Sequence, residues 1–491
     1  MLHTILHSSG FVMLCMVFFL LCGCEASFTS LHDYDKNNGF LFDSRGNIIN
    51  LNDYVPPVSQ TSNIKVEITE RGEYKVVWKD FSCLGAPGER VFPVHESGEY
   101  LYLLTEKDSD YMQLMVWDRK RKIIHRYPHG NREAESIIVS GSRLHGIQYA
   151  GDVFARDYFT PEFQEMDRKL KSHYHMDNLL WREHSPDGRQ WLVELFFCEK
   201  PSLTVLCDIR TGKWRELSEP CPYKPDLTQK KEVFRFITSD GQNVSGILSF
   251  PPIRFGTRNL PLVVFPHGGP QARSMLVFDP RVEQLTRNGF LVFQPNYRGS
   301  TGQGKRFRQA GWGVKGITRA LADIAEGTEN LIKKGYADRD RIAILGGSWG
   351  GYCALASAML YPDLFRAVTV FFGPSDLVGM LHEFLPESGA NPYLDHLQYG
   401  DINDPVVAEK LKKISPVYNV DKIQAPVLMY HFQQDTVISI QQSERFVNQM
   451  KASGREISFF SGPGKHSFPD SAAEASAYDR AIVFFREAFR K

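Results

Sequence analysis

Gly346-Gly347-Ser348-Trp349-Gly350-Gly351-Tyr352 follows an unbroken apolar run, Ile342-Ala343-Ile344-Leu345, and precedes a helix-compatible stretch from Cys353 to Leu360. A serine on a tight strand-to-helix turn is held in a strained backbone conformation that lifts its hydroxyl clear of the sheet edge. Side chains two residues either side would clash with the crossing backbone, which accounts for glycine at 346 and 350. The stretch therefore reads as a nucleophilic serine at the carboxyl end of a buried strand.

Further fully apolar runs surround it at 260–265, 290–294, 367–372 and 427–431, each followed by a segment long enough for a helix. Short strands that are apolar on both faces and alternate with helices predict a doubly wound, mainly parallel sheet covered on both sides. A hairpin precedes them, with Phe234-Arg235-Phe236-Ile237-Thr238-Ser239-Asp240-Gly241 turning into 244–250. The expected α/β domain occupies 229–491.

A serine hydroxyl attacks at neutral pH only when a base takes its proton, and the base needs an orienting carboxylate. In α/β-hydrolases these follow in the chain order serine, acid, histidine. Asp435 comes after the run at 427–431, and His466 lies in Gly462-Pro463-Gly464-Lys465-His466-Ser467-Phe468, ahead of the last helical segment. Asp376, Asp395, Asp401 and Asp404 compete for the acid, although Asp376 comes one strand too early. His382, His396 and His431 compete for the base, and His431 falls inside a strand, where burial is expected. The oxyanion formed during attack needs fixed donors. One is expected from the amide of Trp349, another from the loop His267-Gly268-Gly269-Pro270, whose glycines permit close backbone approach.

The first half has a different character. From 64 to 228, short β-like runs are separated by Gly, Pro, Asp and Asn, with few stretches suited to helices. The clearest unit runs Ser185-Pro186-Asp187-Gly188, then strands at 191–197 and 203–208, then Thr211-Gly212-Lys213; a weaker copy begins at Ser97-Gly98. Such repetition predicts propeller-like blades, with a plain β-sandwich as the alternative. Residues 24–63 read as a tether or an irregular first strand pair.

At the amino terminus, 11–21 form an uncharged apolar run that as a helix would reach only about 17 Å, too short for a hydrocarbon core of about 30 Å. It is the core of a signal peptide, 1–23. Leu21-Cys22-Gly23-Cys24 resembles the lipobox of bacterial lipoproteins, in which the cysteine, here Cys24, is acylated; the alternative is an ordinary cleaved signal. The segment before the core carries His3 and His7 but no Lys or Arg. The expectation is an exported protein of a bacterial cell envelope, membrane-anchored through Cys24. Cys83, Cys198, Cys207, Cys221 and Cys353 remain for the folded part without metal-ligand spacing, and Cys198 and Cys207 read as packing residues out of register across a hairpin.

Across the 491 residues, 57 basic side chains balance 57 acidic ones. No net field gathers polyanions, so nucleic acid is not an expected partner. A hydrophobic share of 42% excludes a disordered chain, and the length implies two or three domains.

In order, Ser239-Asp240-Gly241, His267-Gly268-Gly269-Pro270, Asn296-Tyr297-Arg298-Gly299-Ser300, Gly346 to Tyr352, Pro362-Asp363-Leu364-Phe365, Ser415-Pro416, Asp435 and His466 form a set similar to the prolyl oligopeptidase family of serine peptidases. The resemblance covers about 230 to 491. It implies an α/β-hydrolase domain preceded by a β-propeller that restricts entry to short peptides, an acyl-enzyme route through Ser348, Asp435 and His466, and no cofactor or metal. Several relatives carry a tyrosine at the position of His267 whose hydroxyl joins the oxyanion hole; with histidine there, the second donor is expected to be an amide of Gly268 or Gly269. Arg298 is expected to serve structure. The chain departs from the family pattern at Phe432, Ser439 and Lys465, and 64–228 holds only about four blades at 40–45 residues each, an apparently truncated propeller. No adjacent Glu-Glu pair lies in 64–228, so a dipeptidyl peptidase's amino-terminal clamp is not expected. A carboxylesterase with the same triad and a catalytically weakened, lipid-anchored binding protein are the alternatives to a peptidase.

Overall fold

The computed structural model describes residues 90–217, 230–383 and 398–491, apart from 107, 122, 128–129 and 177, together with strands at 40–42, 48–50, 65–68 and 74–77. The expected leader with Cys24, most of the tether, the boundary near 228, and Cys83, Cys221, Asp395 and His396 lie outside the described residues.

The amino-terminal half consists of antiparallel sheets. Two ribbons come first, β1 (Phe40–Phe42) with β2 (Ile48–Asn50) and β3 (Lys65–Ile68) with β4 (Tyr74–Val77). A four-stranded meander follows, formed by β5 (Val91–Glu96), β6 (Tyr100–Thr105), β7 (Gln113–Asp118) and β8 (Ile123–Tyr127). Next comes a three-stranded sheet of β9 (Glu133–Ser140), β10 (Arg143–Ala150) and β11 (Ala155–Tyr158). A second four-stranded meander comprises β12 (Asn178–His184), β13 (Gln190–Phe196), β14 (Leu203–Asp208) and β15 (Lys213–Glu216). The repeating four-stranded unit is the propeller-like pattern expected from the turn spacing. The register sets Trp191 opposite Cys207 and leaves Cys198 beyond the end of β13, so these two cysteines do not face each other, and both are free thiols.

One element departs from the all-β expectation. Helix α1 (Pro161–Tyr174) starts with proline in its first turn and buries Phe163, Met166 and Leu170 against Trp181 and Trp191. Proline's fixed φ suits a first helical turn, and apolar residues at spacings of three and four form one stripe. That stripe covers the face of the last meander.

The second half is a single sheet of eight described strands in the order β16 (Lys231–Ile237), β17 (Asn243–Ser249), β19 (Leu291–Asn296), β18 (Leu260–Val264), β20 (Ala337–Gly347), β21 (Ala367–Phe371), β22 (Val427–Phe432) and β23 (Ile457–Gly462). The first hairpin and its junction with β19 are antiparallel, and every later pairing is parallel. Strand β23 is an addition to the runs legible in the sequence. None of its residues is fully buried, because it forms the sheet edge.

Helices cover both faces. Leu262, Val264, Ile342, Ile344, Val427 and Met429 point into one core with α4 (Gly313–Lys333), α5 (Trp349–Leu360) and α8 (Gln441–Ala452). The intervening Val263, Ala343, Leu345, Leu428 and Tyr430 point into another with α2 (Pro280–Arg287) and α9 (Ser471–Ala488). Successive strand residues face opposite sides, so a strand between two helical layers must be apolar at every position. Each fully buried aliphatic side chain contributes roughly 1.5–3 kcal/mol. The short helices α3 (Lys305–Gln309), α6 (Leu377–Glu383) and α7 (Pro405–Lys413) sit in the connections.

The two halves meet through buried charge. Glu106, fully buried after β6, accepts from Arg90 Nε at 2.9 Å and from Arg308 Nη2 of α3 at 2.9 Å. Glu133 pairs with Arg90 and accepts the amides of Gly302 and Gly304, each at 3.0 Å. Nearby, Arg273 binds Glu135 at 2.7 Å, and Asp152 accepts Ser245 Oγ at 2.9 Å. The strap 302–309 of the α/β half is thereby tied to the β-rich half along its length.

Candidate active site

Ser348 caps the amino end of α5 with φ 53° and ψ −127°, a left-handed conformation that non-glycine residues rarely occupy. Its amide donates to Phe371 O at 2.9 Å, and its carbonyl accepts from Gly351 and Tyr352. The turn is crowded as the sequence implied. A Cβ at Gly346 would lie 2.2 Å from Gly350 O, and one at Gly350 would lie 2.3 Å from Pro266 O. Gly351 would in turn meet Val370 at 2.9 Å. Backbone from β18, β20 and β21 therefore converges on the serine, and glycine is the residue that leaves room.

Asp435 and His466 come together. Asp435 stands on the turn after β22, where its Oδ1 accepts the amides of Val437 and Ile438, each at 2.9 Å. Its Oδ2 accepts from His466 Nδ1 at 2.6 Å. The carboxylate has no solvent exposure. Burial alone would raise its pKa, yet hydrogen bonds from His431 and His466 hold it well below the usual carboxylate range. With Nδ1 donating to Asp435, His466 keeps its lone pair on Nε2, which is buried and has no hydrogen-bond partner among the described residues. That is a base without a proton to take until a hydroxyl or substrate reaches it.

Phe371 and Phe372 link this pair to the serine. Phe371 O holds the Ser348 amide, and the Phe372 ring lies 4.9 Å from the ring of His466. Phe468 and Phe432 complete an aromatic wall, 5.9 and 6.3 Å from Phe372. The phenyl of Phe432, one of the expected departures from the resemblance, rests on Gly464, at which a Cβ would come within 3.0 Å of it. Lys465 is exposed, so its charge stays in water beside the buried histidine.

Of the competing residues, Asp376 accepts Tyr418 OH at 2.8 Å and the Gly379 amide at 3.0 Å. Asp404 caps α7 through the Val406 amide, and Asp401 binds Asn403. His382 lies exposed on α6. Arg298 is bound by Asp240 at 2.6 Å and Asp323 at 2.7 Å, the structural role expected of it.

The expected oxyanion loop lies against the nucleophile turn, since Pro266 O and His267 O are the nearest atoms to a Cβ at Gly350. Trp349 occupies the first turn of α5, where amides lack intrahelical acceptors. The His267 ring is committed elsewhere. Its Nε2 meets Ser300 Oγ at 2.8 Å, its Nδ1 meets Gly268 O at 2.7 Å, and it stacks on Tyr297 with centroids 4.4 Å apart. Burial and the Arg273 cation push its pKa down to about 4.

One contact was not legible in the sequence. His431, expected to be a buried strand residue, is fully buried and also reaches Asp435 Oδ2 at 3.1 Å. Three residues, Phe432 to Gln434, separate the two as the chain leaves the strand.

Comparison with known proteins finds relatives for the chain. Residues 276–491 match the model of the prolyl oligopeptidase family. The chain is 30% identical over 285 residues to dipeptidyl peptidase family member 6 of Caenorhabditis elegans, covering 54% of this chain and 38% of that protein. It is 27% identical over 295 residues to dipeptidyl aminopeptidase BIII of Pseudoxanthomonas mexicana, covering 57% and 42%. The match thus spans about two fifths of the length of these curated relatives. Among solved structures, a Mycobacterium tuberculosis puromycin-hydrolyzing peptidase superimposes with a TM-score of 0.67 at 21% identity, over 86% of this chain and 64% of that one. An acylaminoacyl peptidase of Pyrococcus horikoshii gives 0.64 at 20% identity, over 85% and 65%. The likeness of fold therefore extends through the β-rich half.

Proposed function

We propose that this protein is a serine peptidase of the prolyl oligopeptidase family that hydrolyses short peptides through Ser348, His466 and Asp435. The observation that carries the reading is the Asp435–His466 hydrogen bond of 2.6 Å, which leaves His466 Nε2 buried and without a hydrogen-bond partner among the described residues, its ring 4.9 Å from Phe372, the neighbour of the residue whose carbonyl holds the strained Ser348 turn. The family match across 276–491 and the relatives' names support peptide substrates.

In this mechanism His466 Nε2 takes the Ser348 proton as Oγ attacks the scissile carbonyl. The Trp349 amide and an amide of Gly268 or Gly269 receive the oxyanion. The imidazolium, paired with Asp435, then gives its proton to the leaving amine, and an acyl-enzyme forms on Ser348. Water activated by the same histidine releases the acid. On this reading the β-rich half, locked to the strap 302–309, has the role of favouring short chains over folded proteins.

The same reading includes export to a bacterial cell envelope with Cys24 as the lipidated amino terminus. Mass spectrometry of the mature protein tests this, since an unmodified terminus anywhere but Cys24 removes the anchor. For the chemistry, purified protein is treated with a fluorophosphonate beside Ser348→Ala, then given a panel of short peptides and simple esters. Adduct on Ser348 with peptide turnover supports the proposal. Turnover of esters alone, or a folded protein that takes no adduct, overturns it.

A further inference from the structure

A second imidazole stands behind Asp435. The alternation along β22 sends Val427 and Met429 to the α8 side of the sheet and Leu428 and Tyr430 to the α9 side, so His431 faces α8. There its Nδ1 lies 2.7 Å from Ser443 Oγ. Its Nε2 lies 2.8 Å from Ile438 O and 3.1 Å from Asp435 Oδ2. Both of those atoms are acceptors, so Nε2 must carry a proton; with Nε2–H assigned, the Ser443 hydroxyl is assigned as the donor to Nδ1.

Asp435 is thereby held at both oxygens. Oδ1 receives the amides of Val437 and Ile438, Oδ2 receives His466, and the single Nε2–H of His431 is shared between Ile438 O and Oδ2. A carboxylate on a turn would otherwise rotate about its last bond, and His466 would swing with it. The two imidazoles approach the same oxygen, one from the loop that carries His466 and one from the carboxyl end of a buried strand.

We propose that His431, with its tautomer set by Ser443, is a positioning residue that holds Asp435 Oδ2 on His466 Nδ1. The inference rests on the triad reading for its effect on turnover, but not for its effect on the hydrogen bond itself. A purely structural His431 would pin the turn through Ile438 O and leave the Asp435–His466 bond indifferent to which donor stands there.

The test compares wild type with His431→Phe, His431→Gln and Ser443→Ala in the full chain. His431→Phe keeps the ring's shape without a donor, whereas the glutamine amide can reach the place of Nε2–H. The first readout is the low-field proton NMR signal of His466 Nδ1–H in protein labelled with ¹⁵N-histidine. The second is kcat and KM on a peptide that wild type cleaves. His431→Phe should displace or broaden the signal and lower kcat by roughly 10- to 100-fold with KM held within about twofold, as expected of a misplaced catalytic group. Glutamine should recover most of both, and Ser443→Ala should fall between. An unaltered signal and kcat in folded His431→Phe overturn the proposal, as does a glutamine variant no better than phenylalanine. If His431→Phe does not fold, an unaltered signal and kcat in Ser443→Ala do the same. A signal that follows residue 431 in a protein without turnover upholds the positioning role and defeats the peptidase reading; turnover with an indifferent signal does the reverse.

Discussion

Holding Ser348 at positive φ costs on the order of 1–3 kcal/mol, and the surrounding backbone sustains it through the Phe371 carbonyl and the close contacts at Gly346 and Gly350. Replacing Ser348 or His466 by alanine should lower kcat/KM by about 10⁴–10⁶ with folding intact, and Asp435→Asn should cost less. Peptide kinetics beside a circular dichroism spectrum checks this, and near-normal activity in Asp435→Asn would return attention to Asp376. The glycines make a sharper structural prediction. Gly350→Ala puts a methyl 2.3 Å from Pro266 O and should destabilise by about 3–5 kcal/mol. Gly462→Ala meets nothing within 4 Å and should stay within about 1 kcal/mol of wild type by thermal unfolding. The serine with its glycines and Asp435 were legible in the sequence because each follows an apolar strand run, and His466 because it stands in a glycine-containing loop ahead of the last helix. His431 as a partner of Asp435 was not, because its role depends on strand parity and on Ser443 arriving from a separate helix.

Among the elements, the strap 302–309 carries a buried charge network whose pH response can be worked out. Burial opposes ionisation of Glu106, but Arg90 and Arg308 overcome this and hold its pKa at about 2, against an ordinary 4.5. A depressed carboxyl contributes stability above its unfolded value and loses it as the pH falls. The contribution of Glu106 should therefore be complete above about pH 4.5 and fade towards pH 2, and Glu106→Gln should flatten the acid limb of a denaturant-monitored stability profile. Unchanged slope in that variant would place the acid sensitivity elsewhere. The strap's partners were not legible in the sequence, since Glu106 and Arg308 stand 202 residues apart. Helix α1 escaped notice for another reason. Its apolar stripe is short and lies among strands, where turn residues dominate the pattern.

At the scale of the whole molecule, the two halves are joined by buried ion pairs as well as by surface contact. Breaking one buried pair by removing a single partner typically costs about 3–5 kcal/mol. Calorimetry should find the wild-type halves unfolding in one transition and Glu106→Ala separating them into two; a single transition in the variant would assign the coupling to other contacts. The doubly wound sheet was legible because a strand between two helical layers is apolar at every residue, whereas edge strand β23, partly exposed and interrupted by Ser458 and Ser461, left no such run. Sheet, strap and wall place Trp349 in an unusual position. Only 5% exposed, it follows the proposed nucleophile directly and packs against Tyr352 at 4.6 Å and Tyr399 at 5.7 Å. An acyl group arriving on Ser348 must alter the surroundings of that indole, so the difference in ultraviolet emission between wild type and Trp349→Phe offers a built-in optical gauge of site occupancy, readable in real time without a coloured substrate.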